Sequence, residues 1–280
     1  MSLHNLVKLR DVILLVLGVF ILSGFNPVFA DRQITYLGCY QGVEPPKLVT
    51  FTEVERISLF AVMQQAPKHE CVYYFGASLQ QPRLINEQQK QKNDLLNALV
   101  ELLNRAIQQG ESETGSDLES LIAQVKAQPV TGRLLDIDLD LTRIETQALK
   151  NRLITTTSSV YLPSRKQPIR LFGLAKKTLP FDAQVTIQQI YENLTLPKFV
   201  EAGWIWALQT NGQVKKAKVG YWAHQQDYIA PGGWLMPVIA KDWAQSSMGD
   251  INELLIAWLK TQTLQPMNNA QEKTGQPNVD

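Results

Sequence analysis

The stretch "GWIWALQTNGQVKKAKV" (residues 203–219) carries the clearest secondary-structure signal in this chain of 280 residues. It consists of two alternating runs joined by Asn211-Gly212. An Asn-Gly pair in this position is the strongest short-range hairpin signal, because both residues tolerate the positive φ angles that a tight turn needs. The stretch therefore predicts two antiparallel strands.

The surroundings of this hairpin predict two small sheets in tandem. Residues 155–240 contain the strand runs "SSVYLPS" and "QPIRLFGLA", the helical run "VTIQQIYENLT", the hairpin, and the strand "GGWLMPVIA". Residues 33–79 follow a similar order, with strands "QITYLGCY" and "KLVTFTE", helix "VERISLFAVMQQ" and strand "CVYYFGASL". Strands that flank a single helix form a sheet with one covered face, so the fold class is α+β.

A polar segment at residues 82–127 separates the two units and predicts a helical hairpin. Leucines recur at helical spacing in its first half, the run "GESETGSD" turns the chain, and a second apolar stripe follows. Two amphipathic helices joined by a short turn need a surface on which to pack. We expect their stripes to bridge the first domain to the second.

Residues 1–30 predict a cleaved secretory signal peptide. Two basic residues precede the apolar run "VILLVLGVFIL" (residues 12–22), and Val28 and Ala30 have the spacing that signal peptidase requires. A transmembrane anchor is the alternative, but it needs about 20 apolar residues, far more than this run supplies. We therefore expect a periplasmic protein whose mature chain has no transmembrane segment.

Charge argues against nucleic acid as a partner. The chain has 27 Lys and Arg residues and 26 Asp and Glu residues, and removal of residues 1–30 takes away two basic residues and one acidic residue. Net charge of the mature chain is then about zero, so no excess of Lys and Arg is available for non-specific binding of polyanions.

Two cysteines, Cys39 and Cys71, predict one structural disulfide, because an even pair in an exported protein usually forms a bridge. A redox or nucleophilic thiol would need a CxxC motif or a nearby base, and the sequence pattern indicates neither.

The mature chain has only His69 and His224, and it has no HExxH, GxSxG, phosphate-binding glycine loop or zinc-ligand spacing. No cofactor or metal is predicted.

The stretch "PVTGRLLDIDLD" (residues 129–140) has two interpretations. Three aspartates alternate with apolar residues, which is typical of a half-buried strand whose carboxylates face water. Carboxylates two residues apart on a strand also lie about 7 Å apart on one face, a spacing that a glycosidase or a metal site could use. The solvated strand is favoured, and the alternative is a polysaccharide-modifying hydrolase that uses Asp136, Asp138 and Asp140.

Arg133 has the parity of the leucines in this stretch, so a regular strand would direct its side chain toward the apolar side. A guanidinium buried without partners is very costly, so it would need carboxylate or carbonyl partners or a pocket for an anionic ligand. Gly132 could instead host a bulge that resets the parity and sends Arg133 to solvent. Both alternatives stay open.

The run "INELLIAWLK" predicts a short amphipathic helix within residues 248–262, with Asp250 and Glu253 at capping-box spacing. At 1.5 Å per residue it is shorter than the hydrocarbon core of about 30 Å. It could dock on the second domain or lie flat on a membrane. Since Lys260 is its only basic residue, we expect docking, with Trp258 as anchor.

A disordered tail is expected over residues 264–280.

Taken in order, these motifs resemble the GfcC-like capsule biosynthesis family of Gram-negative bacteria. The resemblance rests on the signal peptide, the paired sheets, the helical hairpin, "VTGR", "GWIWALQTNGQVKKAKVGYW", "PGGWLMPVIA" and "INELLIAWLK". It implies tandem β-grasp (ubiquitin-like) domains, with the helical hairpin inserted in the first. It also implies that Arg133 matches a central family arginine that lines a pocket. The pair Cys39 and Cys71 departs from the family pattern.

The resemblance implies a periplasmic, non-enzymatic accessory protein for assembly or export of capsule or exopolysaccharide. Its expected partners are surface polysaccharide and the capsule or exopolysaccharide export machinery. The predicted organisation is a signal peptide (1–30), a first β-grasp domain (31–153) with the hairpin insert (82–127), a second β-grasp domain (154–243), the C-terminal helix (248–262) and the tail (264–280).

Overall fold

The computed structural model describes residues 31–39, 47–52, 56–220 and 226–264, which form a mixed α+β fold, as predicted. The strands are β1 (Arg32–Gly38), β2 (Lys47–Phe51), β3 (Ile57–Ser58), β4 (Ser78–Gln80), β5 (Leu153–Ile154), β6 (Ser158–Leu162), β7 (Ile169–Leu171), β8 (Thr178–Leu179), β9 (Val200–Leu208), β10 (Val214–Lys218), β11 (Trp234–Ile239), β12 (Gln245–Ser246) and β13 (Gly249–Asp250). The α-helices are α1 (Leu59–Gln64), α2 (Ile85–Gln108), α3 (Ser112–Ala127), α4 (Leu141–Thr146), α5 (Ile187–Glu192), α6 (Lys241–Ala244) and α7 (Ile251–Lys260). Short 3₁₀ turns lie at Tyr74–Gly76, Pro82–Leu84 and Ala148–Lys150.

The first sheet has the order β2-β1-β6-β4, with β1 and β6 parallel. Its core contains Ile34, Tyr36 and Val160, and α1 covers this face through Leu59 and Val62. Helix α1 begins later than the run "VERISLFAVMQQ" predicts, because the Ser58 hydroxyl caps the helix by accepting from the N–H of Ala61. Residues 53–55 of that run lie outside the described residues.

Strand β6 belongs to the first sheet, although the run "SSVYLPS" was expected to open the second. It pairs with β1 on one side and with β4 on the other. The first sheet therefore extends to Leu162, past residue 153, where the sequence predicts the domain boundary. The physical reason is that alternation identifies a strand but not its hydrogen-bonded neighbours. The neighbours of β6 lie about 80 positions (β4) and about 120 positions (β1) away in the sequence.

The second sheet has the order β10-β9-β11-β7-β8, and the hairpin predicted from Asn211-Gly212 is confirmed. Gly212 has a φ of 89°, a conformation that only glycine adopts readily. Strands β7 and β11 run parallel to each other. The two sheets share a strand order when the strands of each sheet are numbered along the chain. Starting from the edge strand β2 in the first sheet and β8 in the second, the order is second, first, last and third strand.

The second sheet is covered on both faces. Helix α5 begins with a complete capping box of Thr186 and Gln189 and packs on the face that carries Ile205 and Leu235. Helices α2, α3 and α7 pack on the other face, which carries Trp234 and other large apolar side chains. This explains why β11 is buried along its whole length.

The helical hairpin packs its apolar stripes on this second sheet and on α7, so the stripes contact the second of the two domains that they were expected to bridge. Residues of the first sheet form a separate core. The first sheet and the elements packed on it are called the first unit. The helical hairpin is linked to this unit at its base, where the side chain of Gln88 binds the backbone of Gly132 and Arg133. The physical reason is that the second sheet presents two apolar faces, and α5 covers only one of them.

Helix α7 docks on its own second sheet, as expected. The Asp250 carboxylate caps it by accepting from the N–H of Asn252 (2.7 Å) and Glu253 (3.4 Å). The Asn252 amide donates to and accepts from the backbone of Ile239 in β11. Trp258 is fully buried in the core below. The described chain continues to Leu264, and the predicted tail beyond it lies outside the described residues.

None of the described helices is both long enough and apolar enough to cross a membrane.

Candidate functional site

The segment 130–133, "VTGR", is an irregular connection rather than the start of a strand. Gly132 has a φ of 69°, and a Cβ at this position would lie 2.7 Å from the carbonyl oxygen of Gln81. Gln88 of α2 fixes the segment by accepting from the Gly132 N–H (2.8 Å) and donating to the Arg133 carbonyl (2.9 Å). Only glycine satisfies both the backbone angle and the close approach.

Arg133 is buried, with 8% of its surface exposed, so the alternative in which a bulge sends it to solvent is wrong. Its guanidinium donates from Nη1 to the carbonyl oxygen of Gln262 and from Nη2 to that of Thr210, both at 2.6 Å. Burial lowers the pKa of Arg133 to about 10, which leaves the group charged at neutral pH. Both hydrogen-bond partners of this buried cation are backbone carbonyls.

Three successive carbonyls after helix α7 accept hydrogen bonds from side chains of other elements. Thr131 donates to Thr261, Arg133 donates to Gln262, and Arg170 of β7 donates to Thr263 at 3.1 Å. Carbonyls that follow a helix carry partial negative charge and lack intrahelical donors, so they suit cationic partners. Arg133 thus joins the first unit, the turn after β9 and the chain that follows α7.

The three aspartates do not lie on a regular strand, so the predicted alternating strand over 134–140 is wrong. The one bridge in this stretch pairs Arg133 with Gln80. Asp136 has a φ of 56°, which breaks the alternation. Asp140 is the N-cap of α4 and accepts from the N–H of Thr142 (3.0 Å) and Arg143 (3.2 Å). Local turns and a helix start have overridden the strand pattern.

Asp138 is the centre of an ion cluster. It accepts from the Lys150 ammonium (2.6 Å) and the Arg143 guanidinium (3.5 Å), and also from the N–H of Asp140 (3.1 Å). Partial burial raises the pKa of Asp138, but these hydrogen bonds and positive charges outweigh burial and hold the pKa below its usual value. A catalytic general acid needs a raised pKa, so this environment opposes that role.

A groove of about 670 Å³ brings these residues together. The segment from Arg133 to Asp140 and residues 211–214 of the hairpin turn both line it. Lys260, at the end of α7, also lines it. Further lining residues come from the first unit: Tyr74, Phe75, Ser78, Arg143, Lys150 and Arg152.

Comparison with known protein families gives two matches, one in the N-terminal part of the chain and one in the C-terminal part. The family model described as "Capsule biosynthesis GfcC, N-terminal" matches residues 43–165, and the one described as "Capsule biosynthesis GfcC C-terminal" matches residues 175–263. The chain belongs to the GfcC-like capsule biosynthesis family. A search of curated proteins found no match.

In this GfcC-like protein the groove is formed by both matched parts. The walls around Arg133 and Arg152 come from the N-terminal match, while the hairpin turn and Lys260 come from the C-terminal match. Sequence reasoning singled out Arg133 and the aspartates but missed Arg152, Lys260 and the aromatic residues. They come from three separate segments of the chain, and no spacing in the sequence links them.

The Cys39–Cys71 disulfide is present, with Cα atoms 6.1 Å apart. His69 Nδ1 lies 3.0 Å from the Cys71 sulfur, so the pair does have a nearby base, contrary to the sequence-based expectation. The overlooked signal is the spacing His-x-Cys. These three side chains could together hold a soft metal ion only if the disulfide were reduced. His224 lies outside the described residues.

Replacing Arg133 by alanine is expected to lower the free energy of unfolding by about 2–4 kcal/mol, because two buried carbonyls lose charged donors. Chemical denaturation of the purified protein measures this change. The exposed Arg56→Ala serves as the control and should change stability by less than about 0.5 kcal/mol. If Arg133→Ala kept full stability while surface polysaccharide was lost, the residue would act in ligand or partner contact instead.

Proposed function

We propose that this protein is a periplasmic, non-enzymatic accessory protein that binds or scaffolds components during assembly or export of capsule or exopolysaccharide. The observation that carries the proposal is membership of the GfcC-like family, whose two models match the chain from residue 43 to residue 263. The disulfide supports an oxidising compartment, and the signal-like residues 1–30 support export to the periplasm.

We further propose that the protein consists of two β-grasp domains. The strand order shared by the two sheets supports this, as do the parallel first and last strands in each sheet. Each unit also has one short helix, α1 or α5, that follows its second strand and packs against the sheet. The groove at Arg133 then lies between the two domains, where ligand sites commonly occur.

The test is deletion of the gene followed by staining of surface polysaccharide under conditions in which the gene is expressed. We expect polysaccharide to be lost or strongly reduced and to be restored by the wild-type gene. Unchanged polysaccharide in the deletion strain would contradict the proposed function.

A triple variant separates an accessory protein from the hydrolase alternative. Asp136→Asn, Asp138→Asn and Asp140→Asn together retain side-chain volume, and asparagine still caps α4. The variant removes all three carboxylates, and loss of a catalytic acid or base lowers a rate by about 10²–10⁴-fold. We expect the variant to restore polysaccharide to the deletion strain. Failure to do so with the folded protein present at normal levels would favour the hydrolase.

A further inference from the structure

The groove has a surplus of positive charge. Five cationic side chains and three aspartates line it. Asp138 is engaged by Lys150 and Arg143, and Asp140 caps a helix. In the described part of the chain no carboxylate pairs with Arg152 or Lys260. Arg152 is exposed and Lys260 is partly exposed, so both cations are accessible to a ligand.

A second observation points to a ligand at the same place. Ser78 of β4 lines the groove with 1% of its surface exposed, and among the described residues its hydroxyl has no hydrogen-bond partner. Buried polar groups normally have partners, and an unpaired one calls for a reason. A hydroxyl can both donate and accept, and it rotates to suit its partner. The Ser78 oxygen is buried, so a ligand with hydroxyl or carboxylate groups would pair with it only after the side chain rotated toward the groove.

Aromatic side chains complete the lining. Tyr74 and Phe75 leave 38% and 41% of their surfaces exposed, a large exposure for rings of this size. Apolar and aromatic surface combined with a few placed polar groups is typical of small-molecule sites, and the groove volume falls within their range of about 300–1,000 Å³. A small inorganic anion would leave most of this volume and both rings without contact.

We propose that the groove binds a short acidic oligosaccharide, in which carboxylates contact Arg152 and Lys260 and a sugar ring contacts Tyr74 or Phe75. This rests on the proposed function and names the ligand class of the same site. With Arg152 and Lys260 as accessible cations that have no carboxylate partner in the described residues, the groove suits a ligand with a few carboxylates better than the long row of phosphates of a nucleic acid. The three aspartates in the lining can accept hydrogen bonds from sugar hydroxyls.

The experiment is calorimetric titration of the purified full chain with trigalacturonate, with maltotriose as the neutral trisaccharide and sodium sulfate as the plain anion. We expect trigalacturonate to bind, maltotriose to bind at least tenfold more weakly, and affinity to fall as salt rises. Absence of trigalacturonate binding at millimolar concentration would overturn the proposal. Equal binding of maltotriose, or full displacement of trigalacturonate by an equal concentration of sulfate, would also overturn it.

A pair of substitutions that replaces two cations by neutral side chains assigns the site. Arg152→Gln with Lys260→Gln should weaken trigalacturonate binding at least tenfold without shifting the melting temperature. The control is Arg56→Gln with Lys166→Gln, which removes two exposed cations outside the groove and should leave binding unchanged. Equal loss in both double variants would show that net charge alone attracts the ligand, which would also overturn the proposal.

Cell complementation distinguishes failure of this inference from failure of the proposed function. If deletion removes surface polysaccharide and the Arg152→Gln, Lys260→Gln variant restores it fully, the acidic-sugar site is wrong while the accessory role stands. If deletion has no effect, the accessory role fails, and the titration still decides whether the groove binds acidic sugar.

Discussion

A Trp258→Ala variant is expected to lose about 3–5 kcal/mol of unfolding free energy, which is the usual effect of truncating a large buried aromatic residue. Trp258 is fully buried at the point where α7, the helical hairpin and the second sheet meet. The truncation leaves a cavity that three rigid elements cannot all close. Urea denaturation followed by circular dichroism measures the change.

Trp258→Phe is the matched comparison. Within the described part of the chain no acceptor pairs with the indole Nε1, so phenylalanine loses volume but no hydrogen bond. We therefore expect its loss to be well below that of alanine, at about 1–2 kcal/mol. A Trp258→Ala loss under about 1 kcal/mol would contradict docking of α7 in the core. It would favour a helix that leaves the second sheet, for example for a membrane surface.

Removal of the disulfide is the second change with a large expected effect. Cys39 and Cys71 are 32 positions apart, and a loop of this length corresponds to about 3–4 kcal/mol in the chain-entropy treatment. The Cys39→Ser, Cys71→Ser variant should therefore unfold at lower denaturant concentration than the oxidised wild type. Equilibrium denaturation of the two proteins side by side gives the difference.

Reduction provides the control for this prediction. Wild-type protein treated with a reductant should match the double serine variant, and the same treatment should leave the variant unchanged. His69→Ala, in which both cysteines remain, should retain most of the stability of the oxidised protein, because the His69 side chain is exposed. A double variant as stable as the oxidised wild type would show that the disulfide does not stabilise the protein by restricting the conformations of the unfolded chain.

Local chemistry allowed several elements to be predicted from the sequence. Asn211-Gly212 marks the hairpin turn, and the positive φ of this turn lies at Gly212, where glycine adopts it readily. The Asp250 cap and the apolar stripe that includes Trp258 define α7, because helical periodicity and capping act over a few residues. The same holds for the cysteine pair, whose bonding follows from the expected compartment.

The same local reasoning failed where turns interrupt a pattern. The stretch around Asp136 alternates like a strand, but the left-handed backbone at Gly132 and Asp136 and the helix cap at Asp140 prevent one. Strand periodicity does not indicate which non-glycine residues adopt a positive φ. Aspartate tolerates this conformation better than most residues, and that was the available signal.

The α+β class, the positions of most helices and strands, and the apolar faces could all be predicted from the sequence. Tertiary structure alone decided that β6 joins the first sheet, that the helical hairpin covers the second, and that Arg133 donates to Thr210 and Gln262. It also decided that Arg152 and Lys260 line one groove. The physical reason is that periodicity records whether a side chain is buried, whereas its partner is fixed by the packing of distant segments, which no local pattern encodes.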